Sequence, residues 1–249
     1  MAPIYEISNE NADAFESFMD KAKFPYKKVA EKNPQDDSQN FWTIPDVQYN
    51  EKNQDYQLSK ELLPAKTQAS HLEHKLKVGE SDFHIMDSDN QFALMKAAYN
   101  MPESEQKDEI QEFFKESFYN SWLLTGTNVE YTPNGKDRVN HGVRECSQEA
   151  NVVGKDEWLK DSKNKEVYGA ILGEENAKII EEVYNWATGK DLRLWRLNSN
   201  PKKTTKRVVR SVSGVVRTGL NAYDVPVSQF SCFGGKASQT KRDARGQRS

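Results

Sequence analysis

Apolar side chains recur every three or four positions in five stretches of the chain and every second position in several others. The first period belongs to helices with one buried face, the second to half-buried strands. Residues 9–22 place Phe15, Phe18, Met19 and Ala22 on one helical face behind Ser8 or Asn9 as N-cap, and Pro25 interrupts the run. The cluster Asn33, Pro34, Asp36, Asp37, Ser38 and Asn40 is turn chemistry. Residues 41–49 read as extended from their aromatics and Val47. Pro45, which has no N–H to give a ladder, marks this as an edge or bent strand. A loop is expected around Asn53.

Leu58, Leu62, Ala69, Leu72 and Leu76 return at helical intervals, with Pro64 splitting the run and the main helix starting near Ala65 and stopping at Gly79. Residues 83–86 read as a short strand. Ser88 and Gln91 have the spacing of a capping box, opening a helix through Phe92, Leu94, Met95, Ala98 and Tyr99. Pro102 starts another, whose stripe of Ile110, Phe113, Phe114, Phe118 and Trp122 is the clearest helical signal in the chain. Asn134-Gly135, both tolerant of positive φ, predicts a two-residue hairpin turn within residues 128–143. A short helix is expected over residues 155–161 and a longer one over 174–188, capped by Gly189. Leu192, Leu194 and Leu197 alternate as in a strand, and residues 207–212 and 215–220 are expected to pair across Ser213-Gly214.

These elements predict an α+β protein: a mainly helical N-terminal two-thirds carrying a β-hairpin, a small antiparallel sheet near the C-terminus, and a disordered basic tail. Residues 1–233 are expected to form a single domain. From Gly234 the chain is polar and predicts a flexible tail over 234–249.

Composition changes the picture in one respect. The hydrophobic fraction is 36%, or about 41% with the 13 glycines, below the ~45–50% usual for soluble domains, yet 26 aromatic residues argue for a folded core. The net charge of -3 conceals a division: residues 1–192 sum to -14 and residues 193–249 to +11. Such asymmetry predicts either an anionic partner or a basic segment lying on the acidic body of its own chain. The start of the chain lacks the basic head and apolar middle of a secretory leader, and no apolar run approaches membrane-spanning length. Cys146 and Cys232 are too few for a disulfide framework. A soluble, cytoplasmic protein with no membrane partner is the expectation.

Two clusters carry candidate chemistry. Arg193, Trp195, Lys202, Lys203, Lys206, Arg207 and Arg210 mix cations with an aromatic ring, as a surface for phosphates and stacked bases does. They predict a non-catalytic protein that engages RNA, DNA or another polyanion. His71, His74 and His84 fall within 14 residues of one another. His71 and His74 lie one helical turn apart, so both imidazoles reach one metal while His84 or Asp87 returns from the next segment. That set predicts a metal-binding protein or metal-dependent hydrolase as the alternative; a structural or assembly protein with an acidic partner is a third reading. His141 and Cys146 lack an orienting residue for thiol catalysis. Neither glycine-rich phosphate-binding motif occurs in the chain.

Overall fold

The computed structural model describes residues 40–67, 84–133, 137–142, 146–150, 157–159, 165–194, 202–213, 218–222 and 229–238. The chain divides into Met1–Asp37 and Ser38–Ser249, and the described residues all belong to the second unit. The expected helix over residues 9–22 lies outside them, as do residues 239–249 of the expected tail.

β1 (Phe41–Tyr49) and β2 (Lys52–Ser59) form an antiparallel hairpin in which Tyr49 faces Lys52. Its turn is Asn50-Glu51, both left-handed with φ of 52° and 60°, the backbone pair that matches the twist of the flanking strands. The sequence pointed three residues further on, because glutamate is not a residue that favours this conformation. Pro45 behaves as expected. β1 is the edge of its sheet, and the ladder shifts register between Ile44 and Val47, where Asp46 has φ 55°.

Two ribbons organise the rest. β2 is followed by β3 (Leu63–Thr67), and β12 (Gln229–Cys232) is followed by β13 (Gly234–Ala237). β13 pairs with β2 and β12 with β3, so both ribbons cross together from one sheet to the other. The smaller sheet has the order β1-β2-β13-β4, with β4 at His84–Ile85. The larger has nine strands. Its centre is β5 (Trp122–Tyr131), flanked by β10 (Thr205–Ser213) and then by β11 (Thr218–Asn221), β9 (Leu192–Leu194) and β8 (Glu157–Trp158). On its other side β5 meets β12 near Leu123 and β6 (Asp137–His141) over Thr127–Glu130, and β6 pairs with β7 (Cys146–Ala150).

This corrects the expected fold class. From Phe41 onward the described residues are not mainly helical: thirteen strands accompany four helices. Leu58 and Leu62, four apart, led residues 58–67 to be expected as a short turn before Pro64 and then the start of a helix near Ala65. Instead Tyr56 and Leu58 alternate inward from β2, and Pro64 lies in β3; short apolar runs satisfy either period. Residues 157–158 are strand rather than helix. The C-terminal sheet is neither small nor purely antiparallel, since β9 and β11 run parallel. Gly234–Ala237, assigned to a flexible tail, is a strand between β2 and β4. Its lack of apolar side chains is a packing requirement. A Cβ on Gly235 would overlap Met86 Cε and stand 2.9 Å from the Gln57 carbonyl oxygen.

The hairpin of β5 and β6 has the expected position, with Val129 opposite Val139. Residues 132–136 separate its strands, so the connection is longer than the two-residue turn expected; Asn134 and Gly135 themselves lie outside the described residues. β10 and β11 pair antiparallel as the sequence indicated, but Ser213, expected in the turn, lies in the ladder opposite Thr218.

The helices are α1 (Ser88–Tyr99), α2 (Glu105–Asn120), α3 (Lys165–Leu172) and α4 (Ala177–Thr188). Ser104, not Pro102, opens α2, its side chain accepting from the Lys107 N–H. Gly189 ends α4 at φ 70°, as expected. Ile110, Phe114 and Phe118 are fully buried, whereas Trp122 leaves the helical stripe, begins β5 and is 45% exposed. Phe233, between β12 and β13, packs its ring 5.3 Å from Phe114 and 5.6 Å from both Phe113 and Phe118. The point where the chain changes sheets is thus sealed by the apolar face of α2.

Two substitutions test this account. Gly235→Ala is expected to lower stability by about 1–3 kcal/mol, because backbone on one side and Met86 on the other leave no room for a methyl group. Glu51→Gly is expected to raise it by about 0.5 kcal/mol, since relief of the left-handed penalty exceeds the added chain entropy. Urea unfolding midpoints read both.

Candidate metal centre

β4 passes into α1 through Met86-Asp87-Ser88-Asp89-Asn90, and this junction is buried. Ser88 was expected to cap the helix. It is instead the first helical residue: its N–H donates to Thr127 Oγ1 at 2.9 Å and its hydroxyl to the Ile171 carbonyl. Tertiary partners have displaced the capping box. Asp87 takes the N-cap position with extended backbone, but its carboxylate makes no capping hydrogen bond. The helix start is closed by the Gln91 N–H donating to the Asp87 carbonyl, and by the Asn90 N–H donating to Asp89 Oδ1.

Opposite this turn lies His141, the last residue of β6. Asp87, Asp89 and His141 each offer a ligand atom, all within 4.8 Å of one another, and the three residues are 0%, 4% and 1% exposed. His141 Nδ1 is 3.2 Å from Asp89 Oδ1 and 2.9 Å from Thr127 Oγ1. Its Nε2 is 2.9 Å from the carbonyl oxygen of Ala170 in α3. A carbonyl oxygen only accepts, so Nε2 carries a proton, and Nδ1 is the nitrogen turned toward the carboxylates. In the neutral ring the Nδ1 lone pair accepts from the Thr127 hydroxyl and lies beside Asp89, and a cation between Nδ1 and the carboxylate, a proton or a metal ion, would strengthen that contact.

Several features match a metal ligand set. Anchoring the second imidazole nitrogen on a backbone carbonyl is the usual way of orienting a ligating histidine. Donor atoms about 2.1 Å from one ion lie roughly 3 Å apart, which Nδ1 and Asp89 Oδ1 already satisfy. On the same helical turn, Asn90 Oδ1 is buried without a hydrogen-bond donor, while its amide nitrogen donates to the Tyr56 hydroxyl at 3.3 Å. Burial raises the Tyr56 phenol above its ordinary value, and the nearby charges of Asp87 and Asp89 raise it further, against the lowering hydrogen bond from Asn90. The negative field of the two carboxylates therefore reaches the ring.

Asp89 also forms part of the wall of a cleft of about 230 Å³ between the β1–β2 turn, α1 and the end of α3. Lys96, further along α1, holds Glu174 at 2.7 Å across that cleft. Burial acts to raise the Glu174 carboxyl. The hydrogen bonds from Lys96 and from the Asn176 and Glu175 N–H groups, with the Lys96 charge, outweigh it and hold the carboxyl below its ordinary value.

Of the metal ligands expected from sequence, Asp87 belongs to this group. His71 and His74 lie outside the described residues. His84 is in β4, its backbone paired with Gly235. Asp89 and His141 were missed as partners. The Asp-x-Asp spacing at a strand-to-helix passage was a readable signal, but its meeting with a residue at the end of a distant hairpin was not. His141 is the register partner of Cys146, yet both its ring nitrogens are engaged elsewhere.

The residues of the expected polyanion surface stand in different surroundings. Arg210 is buried, donating to Asn221 Oδ1 at 2.6 Å and lying 4.4 Å from the Trp122 ring centroid. Arg193 is part-buried over Trp158. Lys206 pairs with Glu130 at 3.2 Å. Arg207 is part-buried, and its charge lowers the Tyr131 phenol against the stronger raising effects of burial and Asp137. Lys202 and Lys203 are exposed; Trp195 lies outside the described residues. No helix among the described residues is long and apolar enough to cross a membrane. No family model, curated protein or solved structure matches the chain.

Lys96→Met is expected to return the Glu174 carboxyl toward its ordinary value, followed by carboxyl carbon shifts in an NMR titration. A depressed folded value means stability present at neutral pH and lost as pH falls through that value. The variant should therefore show a shallower acid loss over this range than the parent chain.

Proposed function

We propose that this protein binds a divalent metal ion at Asp87, Asp89 and His141. The observation that carries the reading is the fixed imidazole: Nε2–H is committed to the Ala170 carbonyl, and Nδ1 meets Asp89 at 3.2 Å inside a buried two-carboxylate group. Two carboxylates and an imidazole form a mixed oxygen and nitrogen set suited to manganese, iron or zinc rather than to calcium. Three protein ligands leave coordination positions open, the arrangement of centres that polarise a bound molecule or activate water. The reading thus keeps the metal chemistry expected from sequence and moves it from the His71, His74 and His84 cluster to a tertiary site.

The competing state is a protonated His141 paired with Asp89, and the two answer differently to Asp89→Asn. As a metal centre, the wild-type chain gains about 3 kcal/mol from metal at a hundred times its Kd, roughly 5–10 °C in melting temperature. Asp89→Asn and His141→Ala are expected to abolish that gain, with Asp89→Asn losing little stability in metal-free buffer. As an ion pair, the wild type does not respond to manganese or zinc, and Asp89→Asn strands a buried charge at a cost of about 3–5 kcal/mol. Thermal melts with and without metal, with elemental analysis of purified protein, decide the matter.

The reading of the basic segment as a nucleic-acid or other polyanion surface retains Lys202 and Lys203 as exposed cations. Filter binding at rising salt tests it, with a steep salt slope as the expected result.

A further inference from the structure

A metal ion at Asp87, Asp89 and His141, the reading on which this inference rests, needs a way in, because all three residues are buried. The cleft beside α1 reaches one of them: Asp89 forms part of its wall, as do Leu172 and Gly173 at the end of α3. Gly173 lies against Asp89, since a Cβ built on it would stand 3.4 Å from the Asp89 Cβ. On its other side the same turn holds the ligand group. The Ala170 carbonyl oxygen is 2.9 Å from His141 Nε2, and the Ile171 carbonyl accepts from the Ser88 hydroxyl. Residues 170–173 therefore touch the ligand group on one side and the cleft on the other.

Two features fix this partition in place. The Gly173 N–H donates to the Gly169 carbonyl at 2.9 Å, with Gly173 in the left-handed region at φ 68°, a conformation open to glycine at little cost. The next residue, Glu174, is held across the cleft by Lys96 at 2.7 Å. Lys96 stands two turns along α1 from Asp89, about 10 Å down the helix axis, so the ion pair ties the end of α3 to α1 at a point away from the ligands. Val167, Tyr168 and Ile171 root α3 itself in the core. The Lys96–Glu174 pair is different, because its side chains are 38% and 17% exposed and can part without uncovering apolar surface.

We infer that Gly173-Glu174 is a gate on the Asp89 side of the metal centre, latched by Lys96, and that an ion enters and leaves through the cleft when the latch opens. The gate closes equally over the metal-free and the loaded site. Breaking the latch therefore speeds entry and release by the same factor and leaves affinity unchanged. A simple field effect of the same two residues has another signature: losing the Lys96 charge tightens a nearby cation, and losing the Glu174 charge weakens it.

Stopped-flow measurement of manganese uptake and of its chelator-driven release from the full chain, with Kd from titration calorimetry, tests this. Lys96→Met and Glu174→Gln are each expected to raise both rates about two- to fivefold, the scale of a part-exposed ion pair, with Kd unchanged. Gly173→Ala strains the closed backbone and is expected to raise both rates about fivefold or more. Hydrogen exchange over the segment spanning Gly173 should quicken in the same three variants. Lys178→Met, which breaks the exposed Lys178–Glu182 pair on α4, should alter neither rate. Opposite shifts of Kd in Lys96→Met and Glu174→Gln reduce the pair to a field effect and overturn the gate. Rates that stay at the parent value in all three variants overturn it too, while leaving the metal centre intact. Failure of manganese itself to bind removes both.

Discussion

Two carboxylates buried where a strand becomes a helix set the terms for the elements around them. Ionised side chains leave water only when partners replace its hydrogen bonds and charge compensation. Here the compensation converges from four parts of the chain. The positive end of α1 faces Asp87 and Asp89, β5 supplies Thr127 and β6 supplies His141. Through its Ala170 and Ile171 carbonyls, α3 fixes the imidazole and Ser88. Removing any one of these contacts leaves a buried polar group without its partner, so the junction specifies how β4, β5, β6 and α3 meet.

The larger framework answers a different demand. A sheet of nine strands and one of four share two ribbons that cross between them, and a crossing exposes apolar surface unless something covers it. Phe233 sits at that point with the aromatic face of α2 around it, and Trp42 extends the cover through Phe113 at 5.1 Å while its indole N–H donates to Glu109. The glycines that follow Phe233 let β13 approach Met86, which places the buried Asp87–Asp89 junction directly behind the crossing. The site is therefore carried on sheet ends rather than on free loops, which suits ligands that must be held within a fraction of an ångström.

Much of the local structure was legible. The stripe of α2, the cap of α4 at Gly189, the bent edge strand at Pro45 and the pairing of β10 with β11 each follow from a preference of few residues acting over short range. Errors arose where two periods coincide, as at Leu58 and Leu62, or where a residue works against its own preference, as at Glu51. The strand at Gly234 was invisible because its function in packing is to present no side chain. At the buried junction, Asp87 was legible as a candidate ligand, whereas Asp89 and His141 join it only through proximity in space.

Chain order and residue chemistry alone determined which segments can be helical, that an acidic body precedes a basic end, and that carboxylates cluster before α1. Only the tertiary structure decided that His141 answers Asp89 across a hairpin and that Arg210 serves the core rather than the surface. It alone also made a polar, glycine-rich terminus a central ribbon. The reason is range: capping, turn and period preferences act over a few residues, while charge compensation and close packing depend on which distant side chains the fold brings within about 4 Å.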